Sequence, residues 1–153
     1  MLLPVCYPPV SGETRMSGIL GAMSQESVRV AEAAYEALTS SGLDAFADYW
    51  ADDIEWRTMR SNWYGKKAGG AYMQELLDLF DDLRTEPIEF IDATGDRVVL
   101  YLRYDGRSKL SGMSVPPEYF AIVLQIRDGK IAQGVEYRTR AEALEVVGLS
   151  EDG

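Results

Sequence analysis

Histidine is absent from this chain, and cysteine occurs once, at Cys6. Without imidazole there is no histidine-ligated zinc site, no Ser–His or Cys–His nucleophile pair and no histidine proton shuttle. A single thiol excludes an internal disulfide and any thiolate cluster for a metal. Acid–base chemistry is therefore left to carboxylates, tyrosines and lysines, and neither a metal nor an organic cofactor is expected. No apolar run approaches the ~18 residues that a membrane span requires, so no membrane partner is expected either. Basic residues are scarce, 15 against 25 acidic ones, for a formal charge of −10. Phosphate-backbone binding rests on clustered lysine and arginine, and no basic stripe is present. Nucleic acid is not an expected partner.

What remains is a chain of 153 residues, 46% apolar and 26% charged. That length and balance suit one globular domain with a substantial core. Residues 1–23 carry prolines and glycines without a steady period. Pro4, Pro8 and Pro9 interrupt the apolar run that a secretory leader needs, and a cytoplasmic location is expected. The stretch reads as a disordered or extended tail, with Met1, Met16 or Met23 as the translation start and the folded domain at 24–150.

From Ser24 to Ser41, apolar residues recur at Val28, Ala31, Ala34, Tyr35 and Leu38, which is helical spacing. Ser24 has the side chain of an N-cap, and Gly42 marks the stop. "LDAFADYW" reads as a short second helix and Asp53 to Met59 as a strand. A third helix takes Tyr72, Met73, Leu76, Leu77, Phe80 and Leu83 at spacings of three and four. Pro87 ends that pattern, and strands follow in "IEFIDA", "VVLYLRYDGR", "EYFAIVLQI" and "KIAQGVEYR". Asp128-Gly129 joins the last two as a two-residue hairpin, because both positions tolerate positive φ. Thr139 and Glu142 have the spacing of a capping box opening a short C-terminal helix. The expected class is α+β: a curved antiparallel sheet wrapped around three helices, with a short terminal helix.

The wording of these segments resembles a known family. "SGLDAFADYWADDIEWR" is similar to the helix–helix–strand opening of SnoaL-like proteins, within the nuclear transport factor two-like superfamily. "YGKKAGGAYMQELLDLF" resembles their third helix, and "IRDGKI…YRTRAEALEVVGL" their closing hairpin and helix. The resemblance runs from about Ser24 to Leu149. It implies a cone whose sheet encloses a pocket, and whose convex face often pairs two subunits. The superfamily hosts isomerases, cyclases, hydrolases, dehydratases and plain binding modules, so fold alone does not name a function.

Within the superfamily, "RYD" and "GKIAQGVEY" resemble limonene-epoxide-hydrolase-like enzymes. These set an arginine and an aspartate two apart on one strand and a second carboxylate after the hairpin. The resemblance implies catalytic roles for Arg103, Asp105 and Glu136. One carboxyl kept protonated by burial donates to a substrate oxygen, the other takes a proton, and the arginine orients both. This chain departs from that pattern in carrying glutamate rather than aspartate at 136. It also has Trp56 and Thr58 where those enzymes hold water with tyrosine and asparagine. The remaining pocket wall is expected from Trp63, Tyr101, Glu118, Phe120 and Ile122. On periodicity alone, Val98, Leu100, Leu102 and Tyr104 form the greasier face of their strand, which would put Arg103 and Asp105 outside. Both placements stand at this point.

Three functions follow. The chain is a cofactor-free enzyme acting on a compact apolar molecule, a protein that binds such a molecule without turnover, or a pairing module. A homodimer is expected through a face made of Val98, Leu100, Leu102, Ala121, Val123 and Val135, which no helix remains to cover.

Overall fold

The computed structural model describes residues 11–150, giving side chains for most of residues 25–150. Helix α1 spans Ser11–Ser41 and α2 Leu43–Ala47, and strands β1 and β2 follow at Trp50–Arg57 and Asn62–Tyr64. Helix α3 spans Lys66–Asp78. Then come β3 (Arg84–Thr94), β4 (Arg97–Arg107), β5 (Ser114–Arg127), β6 (Lys130–Tyr137) and α4 (Arg140–Val146). The expected tail is helical from Ser11, so Ser24 lies inside α1 and is no N-cap. Residues 1–10 of that tail lie outside the described residues. Gly42, at a φ of 97° that a side chain would oppose, separates α1 from α2.

The six strands form one curved sheet in the order β2-β1-β6-β5-β4-β3. The architecture is α+β, as expected, but the sheet is mixed. β1 runs parallel to β6, Trp56 opposite Gly134, whereas every other neighbouring pair is antiparallel. After β1 and β2 the chain crosses through α3 to β3 at the opposite edge of the sheet, and β1 pairs with the last strand, a connection that local patterning does not reveal. The Asp128-Gly129 hairpin has φ of 53° and 74°, the left-handed pair such a turn requires.

Two apolar layers result. Ala31, Ala34 and Tyr35 of α1 and Phe46 of α2 pack with Trp50 and Ile54 of β1, Val98, Leu100 and Leu102 of β4, and Ile122 and Leu124 of β5. On the opposite side, Val99, Ala121 and Val123 are covered by Ala143, Leu144 and Val147. The terminal helix is therefore a lid on the outer face. Antiparallel register sets Leu100 opposite Ile122 and Val99 opposite Val123. Val98, Leu100 and Leu102 thus face inward, whereas Ala121, Val123 and Val135 belong to the other face. The single greasy face expected to pair two subunits does not exist as drawn.

Candidate functional site

Between the helices and the inner face of the sheet lies a cavity of about 140 Å³. Its walls are aromatic and aliphatic, from Trp50, Trp56, Trp63, Tyr72, Phe120 and Ile122 among others. Glycine shapes the wall at two points. A Cβ at Gly134 would stand 2.7 Å from the Trp56 ring, and one at Gly69 would stand 2.1 Å from Trp63. Each indole lies over a backbone without a side chain, which brings Trp56 and Trp63 into a stack with centroids 5.6 Å apart and planes 6° from parallel. The indole N–H groups of Trp50 and Trp63 find no acceptor among the described residues.

The acidic group in this wall is Glu136 of β6. Trp56 Nε1 donates to its Oε2 at 3.1 Å, and the Met59 backbone N–H donates to its Oε1 at 3.3 Å. Burial pushes the Glu136 carboxyl above its usual range, because the ionised form loses water. The two hydrogen bonds and nearby Arg60 pull in the opposite direction without reversing the shift. Tyr35, deep in the core, is raised by burial first and by the charge of Glu136 second. Tyr104 also lines the cavity, and its hydroxyl donates to Glu118 at 2.9 Å. Burial, then the bond to Glu118, pushes its phenol up to about 12.

Of the residues expected from sequence, Glu136, Trp56, Trp63, Phe120 and Ile122 meet in the cavity. Arg103 and Asp105 do not join them. They share the face of β4 that carries Val99 and Tyr101, opposite to Leu102 and Tyr104. Arg103 Nη2 donates to Asp105 Oδ2 at 2.7 Å and Nη1 pairs with Glu86 of β3, so no arginine bridges Asp105 and Glu136. The strand's greasier face won the interior. Tyr101 stacks on Tyr119 on the outer surface, with centroids 5.9 Å apart. Thr58 serves a turn: its hydroxyl donates to the Ser61 carbonyl at 2.6 Å and accepts from the Ser61 N–H at 2.8 Å. Glu118 is exposed and reaches the cavity only through Tyr104. Sequence reading missed Tyr104, Arg60 and Trp50 as lining residues. The apolar face Val98–Leu100–Leu102–Tyr104 was the signal for the first. No group of three or more acidic or cysteine side chains that could hold a metal occurs among the described residues.

The profile of the SnoaL-like domain family matches residues 31–134, which carry most of the sheet and the cavity wall except Glu136. The chain belongs to the SnoaL-like domain family. Its SnoaL-like fold recurs in solved structures of low sequence identity. TerC, co-crystallised with polyporic acid, superposes with a TM-score of 0.65 at 18% identity, covering 80% of this chain and 98% of that one. A putative polyketide cyclase from Xanthomonas campestris gives 0.65 at 19% identity, covering 82% and 99%. A hypothetical protein with a ketosteroid isomerase-like fold from Catenulispora acidiphila, in complex with trimethylamine, gives 0.63 at 18%, covering 81% and 95%. At such identities the likeness speaks for the fold. No curated protein matches the chain.

Proposed function

We propose that this SnoaL-like protein binds a small, largely apolar molecule in the Glu136 cavity and that Glu136 moves a proton on it. The observation that carries this reading is a lone carboxyl in an aromatic wall, with its affinity for a proton raised by burial. A carboxyl whose ionisation is shifted toward neutral pH can act both as acid and as base, which suits an isomerisation or ring closure through an enol. Apolar cavities with few convergent polar groups are the usual form of a small-molecule site. The neighbouring folds named for polyketide cyclase and ketosteroid isomerase chemistry are in keeping with this, by analogy of fold. Arg103 and Asp105 lie outside the Glu136 cavity and take no part in that proton transfer.

A binding role without turnover is the second reading. It is favoured by the hydrogen bonds to both Glu136 oxygens, which stabilise the ionised carboxylate and weaken it as a base. Exchange of the acidic C–H protons of 2-indanone in D2O, followed by proton NMR, separates the two. Exchange faster than in buffer, and lost in Glu136→Gln, is the expected result. Binding seen as shifted 2-indanone resonances without faster exchange would leave a binding protein. No binding by 2-indanone or by a single-ring ketone such as cyclohexanone would overturn the cavity reading itself.

A further inference from the structure

A cavity of about 140 Å³ accommodates little more than one six-membered ring; an engineered cavity of ~150 Å³ takes up benzene. Beside it lies a larger cleft of about 610 Å³, between the α1–α2 junction, α3 and the start of β3. Leu38, Met73, Leu76, Leu83 and Thr85 line both spaces, so these side chains are the partition between them. The inner space is apolar but for Glu136 and Arg60, whereas the cleft runs past the edge strand β3 to four charged groups on the outer side of the sheet, Arg84, Glu86, Arg103 and Asp105.

These four groups form a row. Asp105 meets Arg103 at 2.7 Å through one oxygen and Arg84 at 3.5 Å through the other, and Arg103 also pairs with Glu86. Asp105 is the most enclosed, its side chain 15% exposed, and both its oxygens are engaged. Arg84 is the reverse, 80% exposed with one long contact. Guanidinium carries five donors in a fork shaped for carboxylate, so the spare capacity of this row lies in N–H donors. Glu86, 59% exposed, can turn to water at little cost when another anion takes its place.

We infer that the cleft is the head-group site of the same ligand: an elongated apolar molecule ending in a carboxylate, held by Arg84 and Arg103, with its apolar end passing the partition into the Glu136 cavity. This rests on the cavity reading above and names the class of molecule for it. The two ends suit opposite ends of one amphiphile. The ring-sized inner space excludes water from the apolar end, and the cleft keeps the charged end partly solvated.

Calorimetric titration of the full chain with matched straight-chain carboxylates and alcohols, from about six to twelve carbons and below their aggregation limits, tests the assignment. Affinity is expected to rise with chain length, and each carboxylate is expected to bind about tenfold tighter than its alcohol, as a charge-assisted hydrogen bond gives. Arg84→Gln, at an exposed position, is expected to shrink that margin several-fold, and Arg103→Gln to erase it. Equal affinity for acid and alcohol, a preference for the matched alkylammonium, or a margin unchanged in both variants would overturn the head-group assignment. In those cases the alcohols still bind and the cavity reading survives. If neither acids nor alcohols bind, the cavity reading falls and takes this one with it.

Discussion

At Glu136 the sign of a pH effect follows from its surroundings. An ordinary glutamate titrates near 4.3, and burial raises this one. Between the ordinary and the raised value the folded chain holds a proton that the unfolded chain has released, so stability falls as pH rises through that window. The contribution is complete below the ordinary value and is lost once the folded carboxyl ionises. Urea denaturation of wild type and Glu136→Gln across about pH 4 to 8 is expected to show the variant gaining on wild type as pH rises. A constant difference would mean that the carboxyl is not desolvated. Gly134→Ala is expected to cost ~1–3 kcal/mol, since its Cβ drives Trp56 off its place beside Glu136. Asp105→Ala is expected to cost well under the ~3–5 kcal/mol of breaking a buried pair, because Arg103 keeps Glu86 and is itself partly exposed. Glu136 was legible only through the family resemblance, which sets a carboxylate after the closing hairpin. The outward turn of Arg103 and Asp105 was legible from alternation, since Val98, Leu100, Leu102 and Tyr104 form the greasier face of β4, and it was the family resemblance that drew the pair inward. Trp63 was legible as an aromatic wall residue, but not its strand, which is three residues long and stands on its pairing with β1.

Among the elements, α4 shows how a short segment is held. Thr139 Oγ1 accepts from the Glu142 N–H at 3.1 Å, the cap that the sequence spacing announces. Thr139→Ala is expected to cost ~0.5–2 kcal/mol in chemical denaturation. Leu144→Ala, which strips the cover from Val99 and Val123, is expected to cost ~2–5 kcal/mol. What the sequence could not convey was the target of this helix. Its apolar side is short, and the buried residues it covers come from β4 and β5, not from β6, which directly precedes it. The same holds for β1, whose type was legible from its apolar residues while its parallel partner was not. Local pattern carries the kind of element; pairing across eighty residues is decided by how α3 returns the chain to the sheet.

For the molecule as a whole, charge is the first determinant of solution behaviour. With a formal charge of −10, acidic groups repel one another more than the scattered ion pairs offset. Raising ionic strength from about 0.01 to about 0.15 M is expected to raise the melting temperature by ~1–3 °C, through screening of that repulsion. A fall would mean that the ion pairs dominate. The α+β layout was readable at this scale because each long segment follows a single period, whereas the division of the interior into a ring-sized cavity and a cleft depends on side chains from distant elements. One more property follows from the placement of the indoles. The chain has three tryptophans, and Trp50, Trp56 and Trp63 all line the same cavity. The intrinsic emission of the protein under selective excitation is therefore a report from one place, and burial of all three indoles is expected to shift it to the blue. The stacked pair should add an exciton couplet to the near-ultraviolet circular dichroism. Anything that enters the cavity changes all the tryptophan light at once, so the chain carries its own optical probe for whatever it binds.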